Sequence, residues 1–235
     1  MNITEPEDII VNFLRANLSE LTRLDEDGNT ISNRQTLRTE TFDGDNLETE
    51  FVMTNNTTCF KTVSVGGSEL VPYKDYQIDI NNKKVTFTNA PATGTDNIEV
   101  IYYSGNNWIY PDKPRDNIGK TTYPRIGIVT LTQPNPFKGI GDYDKRVNNT
   151  FQIDVLGHKD QFCQIDSENV PAERYVKYLA RKVIDTIAST TINKHLEYKI
   201  ENLNVLNNYP VPFEEDKNIF RQIIEINVLF RYVEA

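Results

Sequence analysis

From Ile219 to Val233 the chain alternates: Phe220, Ile224, Ile226, Val228, Phe230 and Tyr232 share one parity, and Arg221, Glu225, Asn227 and Arg231 share the other. A period of two over such a length marks a β-strand with one buried face, because successive side chains point to opposite sides of the pleat. At roughly 3.3 Å per residue the strand spans about 50 Å, more than most compact domains need, so a partner is expected to cover part of it. A strand this long requires a sheet, and the neighbouring sequence supplies one. Tyr123-Pro124-Arg125-Ile126-Gly127-Ile128 opens a strand, Thr150 to Val155 alternates again, and Leu196 to Val205 gives a third. Between the second and third lies a helix from about Pro171 to Ala188, with Val176, Leu179, Ala180, Val183, Ile184 and Ile187 on one face.

The start of the chain reads as a second helix. Thr4 and Glu7 have the spacing of a capping box, and Pro6 sits where a missing N–H costs nothing. Ile9, Ile10, Phe13, Leu14, Leu18 and Leu21 then form an apolar stripe, which is expected to dock on its own domain. The segment from Thr22 to Asp45 is polar and reads as irregular, with a turn at Asp25-Glu26-Asp27-Gly28-Asn29.

From Glu48 short β-like runs follow at Glu48–Thr54, Cys59–Val65, Glu69–Val71, Tyr76–Ile80, Lys84–Thr88 and Asn97–Tyr103. Asn81-Asn82 joins two of them as a hairpin, and the spacing predicts a small antiparallel sandwich or barrel. Gly105 to Thr122 reads as a linker held by Trp108 and Tyr110, and Thr132 to Asn149 as a long loop. The expected organisation is a core of residues 1–21 and 108–235, with residues 22–107 as an inserted all-β sandwich or barrel. The expected class is α+β: a mainly antiparallel sheet packed by two helices.

Motifs that would carry chemistry are incomplete. Gly119-Lys120-Thr121 has the end of a phosphate loop, but Pro114 stands where its first glycine belongs. Gly139-Ile140-Gly141 lacks a third glycine, and turn chemistry explains it. The acidic clusters Asp25, Asp27 and Asp43, Asp45, Glu48, Glu50 lack EF-hand spacing. His158 and His195 are the only histidines, and neither has a Cys or His at metal-ligand spacing. Cys163 near His158 has no glycine-rich turn or orienting amide beside it. No catalytic residue, metal or cofactor is therefore expected.

Composition narrows the partners. A net charge of −9 argues against a broad nucleic-acid-binding face; it suits a surface that DNA slides past without sticking, and ordinary solubility explains it equally well. No apolar run approaches the roughly 20 residues of a membrane span, and the amino end lacks signal-peptide order, so an intracellular origin is expected. The widely separated Cys59 and Cys163 predict no disulfide framework. The Asn-x-Ser/Thr triplets at Asn17, Asn55, Asn56 and Asn148 are explained by the abundance of asparagine.

Taken together, the Ile9-to-Leu21 helix, the Tyr123-Pro124-Arg125-Ile126 strand, the alternating second strand, one long helix and the closing Ile224-to-Tyr232 strand resemble tail terminator (tail completion) proteins of tailed phages. The middle module, with Tyr76-Gln77-Ile78-Asp79-Ile80 and Ile98 to Tyr103, is similar to small β-domains of phage tail and fibre proteins. The resemblance implies a structural virion protein assembled in the host cytoplasm. It would form a hexameric ring of identical subunits on the head-proximal end of the tail tube. Its neighbours would be the tube protein and the head-tail connector, with DNA passing through the lumen. Assembly contacts are then expected from the loop residues Phe137, Lys138, Tyr143, Lys145 and Arg146, and from Arg221, Glu225, Asn227 and Arg231 of the last strand. The alternative is a neck, decoration or host-recognition protein whose β-domain binds a partner or glycan.

Overall fold

A computed structural model describes residues 6–31, 34–72, 74–111, 123–132, 144–189 and 200–233. In chain order the elements begin α1 (Pro6–Asn17), β1 (Thr22–Leu24), β2 (Gln35–Gly44), β3 (Glu50–Val52), β4 (Thr57–Val65) and β5 (Ser68–Glu69). They continue with β6 (Tyr76–Asp79), β7 (Lys84–Phe87), β8 (Gly94–Gly105), β9 (Ile109–Tyr110), β10 (Arg125–Thr132) and β11 (Asp144–His158). The last are β12 (Phe162–Ile165), β13 (Glu168–Pro171), α2 (Ala172–Ser189), β14 (Ile200–Glu214) and β15 (Ile219–Val233). The class is α+β, with the sheets almost wholly antiparallel. Two compact units divide the chain: Met1–Asn33 with Trp108–Ala235, and Arg34–Asn107.

The first unit is built on a five-stranded sheet ordered β14-β15-β11-β10-β9, in which only β9 runs parallel to its neighbour. Ile128, Ile153 and Ile224 lie opposite one another in register and so point to one face. The same face carries Phe151, Val155, Ile226, Val228 and Phe230, all fully buried. Both helices pack there. The α1 stripe buries Ile9, Ile10, Phe13, Leu14 and Leu18, while Leu21 is half-buried. Burial of an aliphatic or aromatic side chain contributes about 1.5–3 kcal/mol, so this stripe alone fixes where the helix docks. At its end the buried Arg15 donates through Nε (3.1 Å) and an NH2 group (2.6 Å) to the Ile109 carbonyl oxygen of β9. Glu7 bonds Thr130 on β10; its capping partner Thr4 lies outside the described residues.

Helix α2 lays Tyr175, Val176, Leu179, Ala180, Val183 and Ile187 against β11 and β15. Its close approach depends on Gly157 of β11: a Cβ there would stand 2.6 Å from Val176 Cγ2 and 2.7 Å from the Tyr175 hydroxyl. A separate three-stranded sheet, β1-β12-β13, belongs to this unit. Its β12–β13 hairpin turns on Asp166 and Ser167, both with positive φ, as a two-residue primed turn requires.

Several expectations change. Residues 22–31 belong with the first unit, not with the β module, because β1 pairs with β12. The segment read as irregular from Thr22 to Asp45 contains β1 and the whole of the ten-residue β2, whose polar sequence conceals a strand held by pairing with β8. The stretch read as a linker contributes β9, with Trp108 fully buried and the Arg125 guanidinium 4.4 Å over the Tyr110 ring. The loop from Thr132 to Asn149 ends early. Asp144 to Asn149 are already in β11, paired residue by residue with β15. The third strand is described from Ile200 and runs on to Glu214, past Pro210 and Pro212, because it occupies the sheet edge, where proline is tolerated.

The second unit is a sandwich of two antiparallel sheets, β2-β8-β4-β5 and β3-β7-β6. They share one core of Phe51, Met53, Phe60, Val63, Tyr76, Val85, Phe87, Ile98, Val100 and Tyr102. The hairpin from β6 to β7 pairs Tyr76 with Phe87 and Asp79 with Lys84. Its turn is closed by the Asp79 carboxylate, which accepts from the Asn82 N–H at 3.0 Å, and by Lys83 in the left-handed region at φ 56°.

Candidate assembly surface

The register that directs Ile224 and Ile226 towards the helices turns the other parity of β15 away from them. Arg221, Glu225, Asn227 and Arg231 therefore share one face, and Arg146, directly opposite Arg231, joins them from β11. Among the described residues no helix covers this face. It is graded along its length. At one end Arg146 and Arg231 are exposed; in the middle Asn227 and Glu225 are half-buried; at the other end Asp154 and Leu156 are buried.

The polar groups on this face bond mostly to one another. Arg221 donates to Asp154 Oδ1 through Nε (3.1 Å) and an NH2 group (2.9 Å), and Gln152 Nε2 donates to the same oxygen at 2.8 Å. Asp154 is 1% exposed. It sits in mid-sheet, and its charge is offset by the arginine from the adjacent strand. One step along, Asn207 Nδ2 (2.6 Å) and the Tyr209 hydroxyl (3.1 Å) donate to Glu225 from the edge strand β14. Burial, and then the hydrogen bond to Glu225, raise the Tyr209 pKa above its ordinary value. At the exposed end Arg146 Nε lies 3.0 Å from Glu201. Five of the residues expected from sequence thus share a surface. Lys145 is in β11 opposite Tyr232, while Phe137, Lys138 and Tyr143 lie outside the described residues. Sequence reasoning missed the cross-strand partners Asp154, Asn207 and Tyr209, whose only signal was polar character at strand parity.

An open groove of about 500 Å³ lies where Val176 and Lys177 of α2 meet Pro210, Pro212 and Phe213 of β14 and Phe220 of β15. The Phe213 and Phe220 rings meet at a tilt of 36° with centroids 4.6 Å apart. The charged groups at its rim already have partners: Lys177 bonds Glu173 at 2.6 Å and Arg221 holds Asp154. Such walls suit an apolar contact.

The other polar clusters serve local structure. The Asp25 carboxylate accepts from the Asn29 backbone N–H (2.7 Å), the Asn29 side-chain amide (3.2 Å) and the Asp27 N–H (3.0 Å), and these bonds, those of Asn29 foremost, hold its carboxyl below the ordinary value. Asp45 Oδ1 caps Leu47 (2.8 Å) and Glu48 (2.7 Å), while Glu50 pairs with Lys84 at 2.7 Å. His158 Nδ1 accepts the Asp160 N–H at 3.3 Å, and Cys59 and Cys163 are buried. Among the described residues no group of three or more His, Cys, Asp or Glu could hold a metal ion. The Gly119-Lys120-Thr121 and Gly139-Ile140-Gly141 segments and His195 lie outside the described residues. No described helix is long and apolar enough to cross a membrane. The chain matches no protein-family model and no curated protein sequence.

Proposed function

We propose that this protein is a structural component of a tailed-phage virion, the terminator that caps the head-proximal end of the tail tube. The observation that carries the reading is the two-sided five-stranded sheet. One face is closed by α1 and α2, and the other carries Arg221, Glu225, Asn227 and Arg231 along the 15-residue β15, with Arg146 beside Arg231 on β11. The succession on which the resemblance rests is carried here by α1, β10, β11, α2, β14 and β15, with β1, β9, β12 and β13 in addition. A sheet with one face closed by helices and a second that sets these polar side chains among Leu156, Ile219, Ile223 and Leu229 is suited to lie against a neighbour, so that subunits meet side by side in a ring.

In this reading six copies close a ring, the tube protein meets one side and the head-tail connector the other. The net charge of −9 keeps the lumen from binding the DNA that passes through it. The Arg34–Asn107 sandwich is then an insertion that decorates the ring. Its independent core favours a second reading, in which this unit binds a neck, sheath or cell-surface partner and the first unit anchors it. The test is to add the full chain to polymerising tail tube protein of the same virus and measure tube length. Growth stops, with a cap at one end, if the chain is a terminator; unaltered tube lengths contradict it.

A further inference from the structure

Sheet edges attract other strands unless they are short, bulged or interrupted by proline. Among the described residues, six of the edge strands are short: β9 and β5 have 2 residues, β1 and β3 have 3, and β13 and β6 have 4. The long β14 breaks register with β15 at three places and carries Pro210 and Pro212. Strand β2 is ten residues long and shifts register only near its end, between Phe42 and Gly44. It keeps unbroken register with β8 from Gln35 to Phe42, contains no proline, and is exposed from Thr36 to Thr39.

We propose that β2 is a homotypic interface, through which two copies of this chain pair antiparallel about a twofold axis at Thr39. The charges select the occupant and the register. Centred on Thr39, the pairing sets Arg38 of each copy opposite Glu40 of the other, Leu37 opposite Thr41, and Thr36 opposite Phe42. Moving the axis by one residue would set Arg38 against Arg38, or Glu40 against Glu40, and like charges directly opposite destabilise a strand pair.

Both charged groups are anchored by bonds within their own copy. Arg38 Nε donates to Ser104 Oγ at 3.2 Å, which leaves its terminal nitrogens to reach across. Glu40 is fixed by the Tyr102 hydroxyl and by the Thr54 N–H at 3.1 Å. The continued sheet would satisfy the outward backbone groups of β2, and an isologous contact of this kind closes at two copies. This inference is independent of the terminator reading; if rings form, the same edge would join them in pairs.

The test uses the full chain in sedimentation velocity, with Thr39→Glu and Thr39→Lys, each of which sets like charges against each other on the axis. Thr39 is exposed, so both variants keep the fold, which circular dichroism checks. Wild type should sediment as an even-numbered species, each variant alone should show half that mass, and an equimolar mixture of the two should regain it. Arg38→Glu should also halve the mass. Equal mass for wild type and Thr39→Glu overturns the proposal, as does failure of the mixture to re-pair. Rings that persist at half the mass in Thr39→Glu would leave the terminator reading untouched.

Discussion

Arg221 and Asp154, 67 positions apart in sequence, meet through two hydrogen bonds onto a single carboxylate oxygen at 3.1 and 2.9 Å. The arginine side chain is 21% exposed and the aspartate 1%, so the pair ties the last strand to its neighbour while one charge stays near water. A buried ion pair adds little net stability, but its separation is costly.

Arg221→Met should therefore destabilise the first unit by about 3 kcal/mol, because Asp154 is left buried with an uncompensated charge. Adding Asp154→Leu should recover most of that loss. Urea unfolding of both variants checks this; equal stability of Arg221→Met and wild type would remove the pair from the account.

Gly157→Ala should cost about 1–3 kcal/mol, the range for overpacking a filled core. The new methyl would press on Val176 and Tyr175 and lift α2 from β11. The thermal midpoint should fall, and Tyr175→Phe should relieve part of the strain by removing the hydroxyl.

Two charge changes on the same sheet should separate folding from assembly. Ile224→Asp places an unpaired carboxylate at a fully buried position facing the helices and should abolish folding. Arg146→Glu alters an exposed ion pair with Glu201, and such a pair contributes less than about 1 kcal/mol. It should leave the circular dichroism spectrum unchanged and reduce assembly. Unchanged assembly would take Arg146 off the contact surface.

The second unit should weaken in acid through Glu40. Burial acts to raise its pKa, but hydrogen bonds from Tyr102 and Thr54 together outweigh that and hold it below the ordinary carboxylate value. A carboxyl with a depressed folded-state pKa stabilises the fold above its unfolded pKa, and the contribution is lost as pH falls through the folded value. Wild type should therefore lose stability as pH drops below the ordinary carboxylate range, and Glu40→Gln should lose less over the same interval. Parallel unfolding curves for the two proteins would show that Glu40 is not responsible.

Legibility in the sequence followed the source of each element's stability. The stripes of α1 and α2, the apolar parity of β15 and the β6–β7 hairpin are local patterns, and the residues themselves declare them. Strand β2 and the first part of β11 were hidden because Thr, Arg, Glu and Asn carry no strand period; only the ladders to β8 and β15 make them strands. The shared face of Arg221, Glu225, Asn227 and Arg231 followed from parity. The burial of Asp154 did not, since its partner comes from a strand that only the folded register places alongside. Arg146 was read as a loop residue for the same reason: its neighbour Arg231 is far away in sequence.

Negative-stain class averages of the purified full chain test ring closure most directly. The account predicts rings with sixfold symmetry, formed by the chain alone or on addition of tail tube protein. Particles without a ring under both conditions, whether single chains or pairs, would contradict it.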